Sequence, residues 1–147
     1  MNSVQDGVVR VERHIQASPA TVFSFFSSAE RWVLWQGEEA TIDLRPDGEF
    51  RMNVGNDQVV SGRFLEIVPS RRLVLTWGWE IPNHPVPPGS STVEIDFLPD
   101  GDGTLLQVQH RDLPATSVER FRKGWEHYAG RLVVRAAGGD PGPDTPF

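Results

Sequence analysis

The last predicted helix constrains this chain more than any other segment. From Val118 to Val133 the apolar residues Val118, Phe121, Trp125, Tyr128, Leu132 and Val133 recur at helical spacing. Arg120, Arg122, Lys123, Arg131 and Arg135 fall mainly on the opposite side. Thr116-Ser117-Val118-Glu119 matches a capping box and predicts the start of the helix. A helix with so aromatic a stripe must lay it against something apolar. The rest of the chain has to provide that surface.

It does so with strands. Val9, Val11 and Ile15 alternate with polar residues, which predicts a first strand over 8–15. Ser18-Pro19 then opens a short helix carrying Val22, Phe23, Phe25 and Phe26, with Ser18 as N-cap. A second short helix over 29–35 puts Trp32 and Trp35 on one face. After Gly37 the period falls to two and stays there. Strands are predicted around 40–44, 50–54, 59–68, 73–79, 93–97 and 106–110, most of them separated by turn residues. In Pro46-Asp47-Gly48 the glycine is expected to take the positive φ. Ile81 to Gly89 holds four prolines and reads as a stiff loop. Consecutive strands with short turns make an antiparallel meander. The expected fold is α+β: six to seven curved strands wrapped around one long C-terminal helix.

Four patches resemble a known family: Ala17 to Phe23, Asp43 to Phe50, Gly62 to Pro69 with Arg72 to Trp77, and Gly124-Trp125 with Leu132. They are similar, in this order, to the helix-grip superfamily of START-related lipid-transfer domains, birch-pollen-allergen proteins and polyketide cyclases. Within it the chain resembles the branch of the C-terminal domain of the ninety-kilodalton heat-shock chaperone ATPase activator. The family usually has two glycines at the first hairpin, where this chain has Asp47-Gly48. The resemblance implies a cavity between sheet and helix. It also brings in cyclase, dehydratase or hydrolase activity, and a chaperone partner, as competing roles.

Composition bounds the rest. At 147 residues the chain suits one domain, expected over 1–136, with a loose Gly/Pro/Asp-rich tail over 137–147. It lacks cysteine, which excludes thiolate metal sites and a cysteine nucleophile. A net charge of -6 argues against nucleic acid and anionic membranes. No apolar run reaches membrane-spanning length and no signal peptide is evident, so a cytoplasmic protein is expected. A homodimer stays open, as does the role of the 82–88 loop.

No motif carries chemistry outright. The four histidines lack metal-ligand spacing, and there is no nucleophile elbow or phosphate loop. No metal, no cofactor and no catalytic residue set is expected. His110 is the best polar candidate, because strand parity turns it inward with Leu106 and Val108. It reads either as a hydrogen-bonded core histidine or, with Tyr128, as an acid or base. The strongest feature is aromatic, with five Trp and eight Phe. Trp32, Trp35 and Phe25 from the short helices, Met52, Phe64, Leu75, Trp77 and Trp79 from the strands, and Trp125 and Tyr128 from the last helix join His110 as the expected ligand-binding set. They suit a small hydrophobic molecule such as an aromatic, polyketide-like or lipid ligand. The ligand reading needs an enclosed space of about 300–1,000 Å³; filling of the core by the same residues is the alternative.

Overall fold

A computed structural model describes residues 7–144. Seven strands and three helices follow in the order β1 (Val9–Ile15), α1 (Pro19–Ser27), α2 (Ala29–Trp32), β2 (Glu39–Ile42), β3 (Glu49–Asn53), β4 (Val59–Val68), β5 (Arg72–Trp79), β6 (Ser91–Asp100), β7 (Gly103–Arg111) and α3 (Val118–Ala136). The strands form one antiparallel sheet in the order β1-β7-β6-β5-β4-β3-β2. The fold is thus the expected α+β arrangement of a sheet gripping a C-terminal helix. Among the described residues no helix is long and apolar enough to cross a membrane.

Side-chain parity builds the core. Val9, Val11 and Ile15 of β1, Phe50 and Met52 of β3, Val60 and Phe64 of β4, and Leu73, Leu75 and Trp77 of β5 all turn inward. Val93, Ile95 and Phe97 of β6 continue that face, with Leu106, Val108 and His110 of β7. Onto it pack Val22, Phe25 and Phe26 of α1 and Trp125, Ala129 and Leu132 of α3. The other face carries ion pairs: Arg72 bridges Glu66, Glu94 and Asp96, and Arg111 closes on Glu94 at 2.6 Å. Asp112 joins this network through Arg111.

Two local expectations need correction. The capping box does not form. A 3-10 turn over Ala115–Ser117 feeds α3, Ser117 sits at the N-cap without a side-chain hydrogen bond, and Glu119 pairs with Arg122 instead. At the first hairpin Asp47, not Gly48, takes the positive φ of 65°. Aspartate tolerates that region because its side chain is short and polar. Gly48 is needed for space, since a Cβ there would meet the Asp43 carbonyl oxygen at 2.0 Å.

Ser18 does cap α1 as expected, with its Oγ accepting from the Thr21 N–H at 3.2 Å. The sheet also depends on Gly62 in β4, where an added Cβ would stand 1.8 Å from the carbonyl oxygen of Thr76. The obstacle is backbone of the neighbouring strand and cannot rotate away. Gly62→Ala is therefore expected to destabilise the protein by about 1–3 kcal/mol or more. Urea unfolding of the two proteins measures it.

Candidate functional site

The aromatic residues form a continuous chain of touching rings. From Phe23 on α1 it passes to Phe97 at 5.4 Å and to Phe26 at 5.5 Å. Phe26 meets Trp32 and Trp35 at 5.1 and 5.0 Å, and Trp32 meets Phe50 at 4.8 Å. Phe50 stacks on Trp77 at 5.1 Å, and Trp77 reaches Trp125 on α3 at 5.6 Å. These separations are those of favourable aromatic pairs, with no room for another ring between them.

Polar atoms in this chain are matched internally. The Trp125 indole N–H donates to His110 Nδ1 at 3.0 Å. An indole nitrogen can only donate, so Nδ1 must be an acceptor and the imidazole proton sits on Nε2. Nε2–H then donates to Ser91 Oγ at 2.8 Å, and the Ser91 hydroxyl donates to the Trp77 carbonyl at 2.6 Å. His110 has no exposed surface, and burial pushes its pKa down to about 3. Elsewhere the Trp35 N–H donates to the Phe25 carbonyl and the Trp32 N–H to Gln36 Oε1, each at 3.0 Å.

Most of the expected ligand set thus comes together, but as a packed core. Trp32, Trp35, Met52, Phe64, Leu75, Trp77 and Trp125 are all buried within one cluster, and His110 is buried against Trp77 and Trp125. Phe25 is buried at its edge, with the Arg31 guanidinium 4.2 Å over its ring. Trp79 is half-buried and packs against this cluster, beside His84 at 6.0 Å. Tyr128, on the flank of α3, also packs partly buried against the cluster, with its hydroxyl donating to Asp144 at 2.8 Å. Two concavities among the described residues lie away from the sheet–helix seam. One, of about 430 Å³, is lined by Ser61, Arg63, Thr76 and Pro88. The other, of about 450 Å³, is lined by Thr41, Arg51, Asn53 and Asp57. Across the sheet–helix seam the large rings meet one another, Phe50 on Trp77 and Trp77 on Trp125. No group of three or more His, Asp or Glu side chains positioned to hold a metal occurs among the described residues.

Sequence reading missed three contributors. Ser91, polar at the start of β6, completes the His110 thread and has no motif around it. Arg131 and Arg135, placed on the outer side of the helix, instead reach across to α2. Arg131 Nε donates to the Trp35 carbonyl at 3.1 Å and Arg135 Nε to the Leu34 carbonyl at 3.0 Å. Their spacing of four was the available signal, since it puts both guanidinia on one flank. The stiff loop after β5 is also anchored: Val86 has no exposed surface and its carbonyl accepts from the Trp79 N–H at 2.7 Å. The Val86 N–H donates to His84 Nδ1 at 2.9 Å.

The architecture defines the class: a helix-grip domain with an aromatic core and a buried Trp–His–Ser thread. The model for the family "Activator of Hsp90 ATPase homolog 1-like protein" matches residues 16–137, and the chain belongs to that family. It is 30% identical over 112 residues to the human activator of 90 kDa heat shock protein ATPase homolog 1, covering 76% of this chain and 31% of the human protein. The chain thus spans about a third of that relative's length. An AHSA1-like protein from Rhizobium etli is 41% identical with a TM-score of 0.74, over 95% of this chain and 88% of that one. CalU16 from Micromonospora echinospora is 28% identical with a TM-score of 0.72, over 89% and 76%.

The His110 thread makes stability pH-dependent in a defined direction. Unfolded, the histidine titrates near 6.5; folded, its pKa is held down to about 3. Below 6.5 the unfolded chain binds a proton that the folded one refuses, so stability falls as pH drops from about 6.5 toward 3. The His110 contribution has a limiting slope of about 1.4 kcal/mol per pH unit. Glutamine can donate to Ser91 and accept from Trp125 but does not titrate. His110→Gln is expected to remove that part of the slope between pH 6.5 and 5, as read from urea midpoints across pH.

Proposed function

We propose that this chain acts through its surface on another protein, as a modulator of a 90-kDa heat-shock chaperone ATPase. The observation that carries this reading is the filled interior: the aromatic set is consumed in ring-to-ring packing. Its polar atoms are matched to one another. A core so arranged is a rigid scaffold, and function is then carried on the outside of it. The 30% identity to the human activator over most of this chain supports the choice of partner. Nor is His110 free to act as acid or base toward a substrate. The His110 lone pair is taken by Trp125 and its proton is engaged by Ser91. The cyclase, dehydratase or hydrolase reading loses its leading residue for that reason.

The test is the steady-state ATPase rate of a 90-kDa chaperone with increasing amounts of this chain. A saturable stimulation of twofold or more is expected. A rate that stays flat at a tenfold excess of the chain overturns the assignment.

A small hydrophobic ligand is the second reading, favoured by the 81–89 loop. It crosses the end of the seam with one buried side chain, Val86, and its His84 lies beside Trp79. Gly78 lets the Pro87 carbonyl approach closely, since a Cβ there would stand 1.9 Å from that oxygen. Movement of this loop would uncover the seam around Trp77. Because the seam is filled, such a ligand has to displace side chains. Titration with flavonoids, fatty acids and sterols tests it through tryptophan fluorescence. Saturable quenching by one class, lost in Trp77→Ala, is expected on this reading; an unchanged signal with all three classes counts against it.

A further inference from the structure

The flank of α3 that faces away from the sheet carries a ladder of donors. His127 and Tyr128 occupy one rung, Arg131 the next and Arg135 the last, so that they follow one another at three- or four-residue spacing along one side. Each engages the segment after the helix. Arg135 Nη1 donates to the Gly139 carbonyl at 3.4 Å, and Asp140 lies 3.6 Å from the same guanidinium. Arg131 Nη2 donates to the Gly142 carbonyl at 3.0 Å. His127 Nε2 and the Tyr128 hydroxyl meet the two oxygens of Asp144 at 2.7 and 2.8 Å. The residues expected to form a loose tail therefore run back along the helix in an antiparallel strap as far as Asp144.

The lengths agree. Eight helical residues from His127 to Arg135 rise about 12 Å. Five extended residues from Gly139 to Asp144, stiffened by Pro141 and Pro143, span about 15 Å. The chemistry agrees as well: the rungs are cationic or hydrogen-bond donors, and the strap offers two carboxylates and main-chain carbonyls. Yet among the described residues the strap has no apolar anchor. Gly138, Gly139, Asp140, Pro143 and Asp144 are exposed, and Pro141 and Gly142 only partly covered. Its hold is polar and depends on the tether, which gives a short segment a millimolar effective concentration.

We propose that this flank of α3 is a docking groove for an extended acidic segment of a partner protein, and that residues 139–144 occupy it in cis as an internal stand-in. The groove reads carboxylates with Arg135, His127 and Tyr128, and the intervening main chain with Arg131. Arg131 and Arg135 are pre-positioned because their Nε atoms are fixed on the α2 turn, leaving the outer nitrogens to face the segment. A partner segment with the same spacing and more negative charge displaces the strap. This rests on the reading that the chain acts through its surface, but the test contains no chaperone and is independent of the ATPase assay.

The experiment titrates the hexapeptide Gly-Asp-Pro-Gly-Pro-Asp, amidated at its C-terminus, into the ¹⁵N-labelled full chain. Arginine Nε–H resonances are followed by NMR at low salt. In the Asp140→Asn/Asp144→Asn chain, whose own strap is weakened, the Arg131 and Arg135 signals are expected to shift saturably. The Kd there is expected to be at least fivefold lower than in the wild-type chain. A peptide with both aspartates changed to asparagine is expected to bind at least threefold more weakly. Adding His127→Gln and Tyr128→Phe, which leaves the Arg131 tie to α2 untouched, is expected to weaken binding severalfold with the spectrum otherwise native. Equal affinity for the wild-type and strap-weakened chains overturns the proposal. So does the absence of saturable shifts, or shifts confined to residues away from this flank.

Discussion

A thread of three hydrogen bonds crosses the apolar seam between sheet and helix, and the placement of α3 depends on it. Trp125 supplies a donor that has to be satisfied once its indole is buried. His110 accepts it and passes a donor on to Ser91, which ends the thread on the Trp77 carbonyl. Three strands and the helix are joined in one polar path. Apolar packing alone is tolerant of small slides and rotations, whereas a directional bond to a buried ring is not. The thread therefore sets the rotation of α3, and with it which flank of the helix faces outward.

That rotation explains the division of labour between inside and outside. With Trp125, Ala129 and Leu132 directed at the sheet, Arg131 and Arg135 fall at the border with α2. There they complete carbonyls left open where the short helix ends. The inner face is committed to packing and the outer sheet face to ion pairs around Arg72. The flank of α3 is the place where fixed donors meet the segment that follows the helix.

Much of the fold was legible because strands and amphipathic helices write their period into the sequence. The inward parity of Leu106, Val108 and His110 needed only alternation, and His110 was found that way. The neutral, bonded state of His110 was not legible, because its partners Ser91 and Trp125 come from different elements whose registers only the folded sheet defines. Whether the rings line a space or fill it was not legible for a related reason: a list of large rings is the same in both cases, and only ring-to-ring distance separates the two. The helical wheel put Arg131 and Arg135 on the side opposite the apolar stripe. A long side chain can leave its own face and bond a carbonyl on a neighbouring element.

The strand order carries a temporal consequence. β1 begins the described chain, yet its neighbour is β7, so that Arg10 and Gln109, which share a hydrogen bond, lie 99 positions apart. On a ribosome adding about 5–20 residues per second, the first strand waits roughly 5–20 s for its partner to be made. For that interval Val9, Val11 and Ile15 have no sheet to enter. α3, which covers that same region, is made later still. Birth of this fold is thus a late and nearly simultaneous closure, and a nascent chain stalled before β7 presents an unpaired apolar strand to its surroundings.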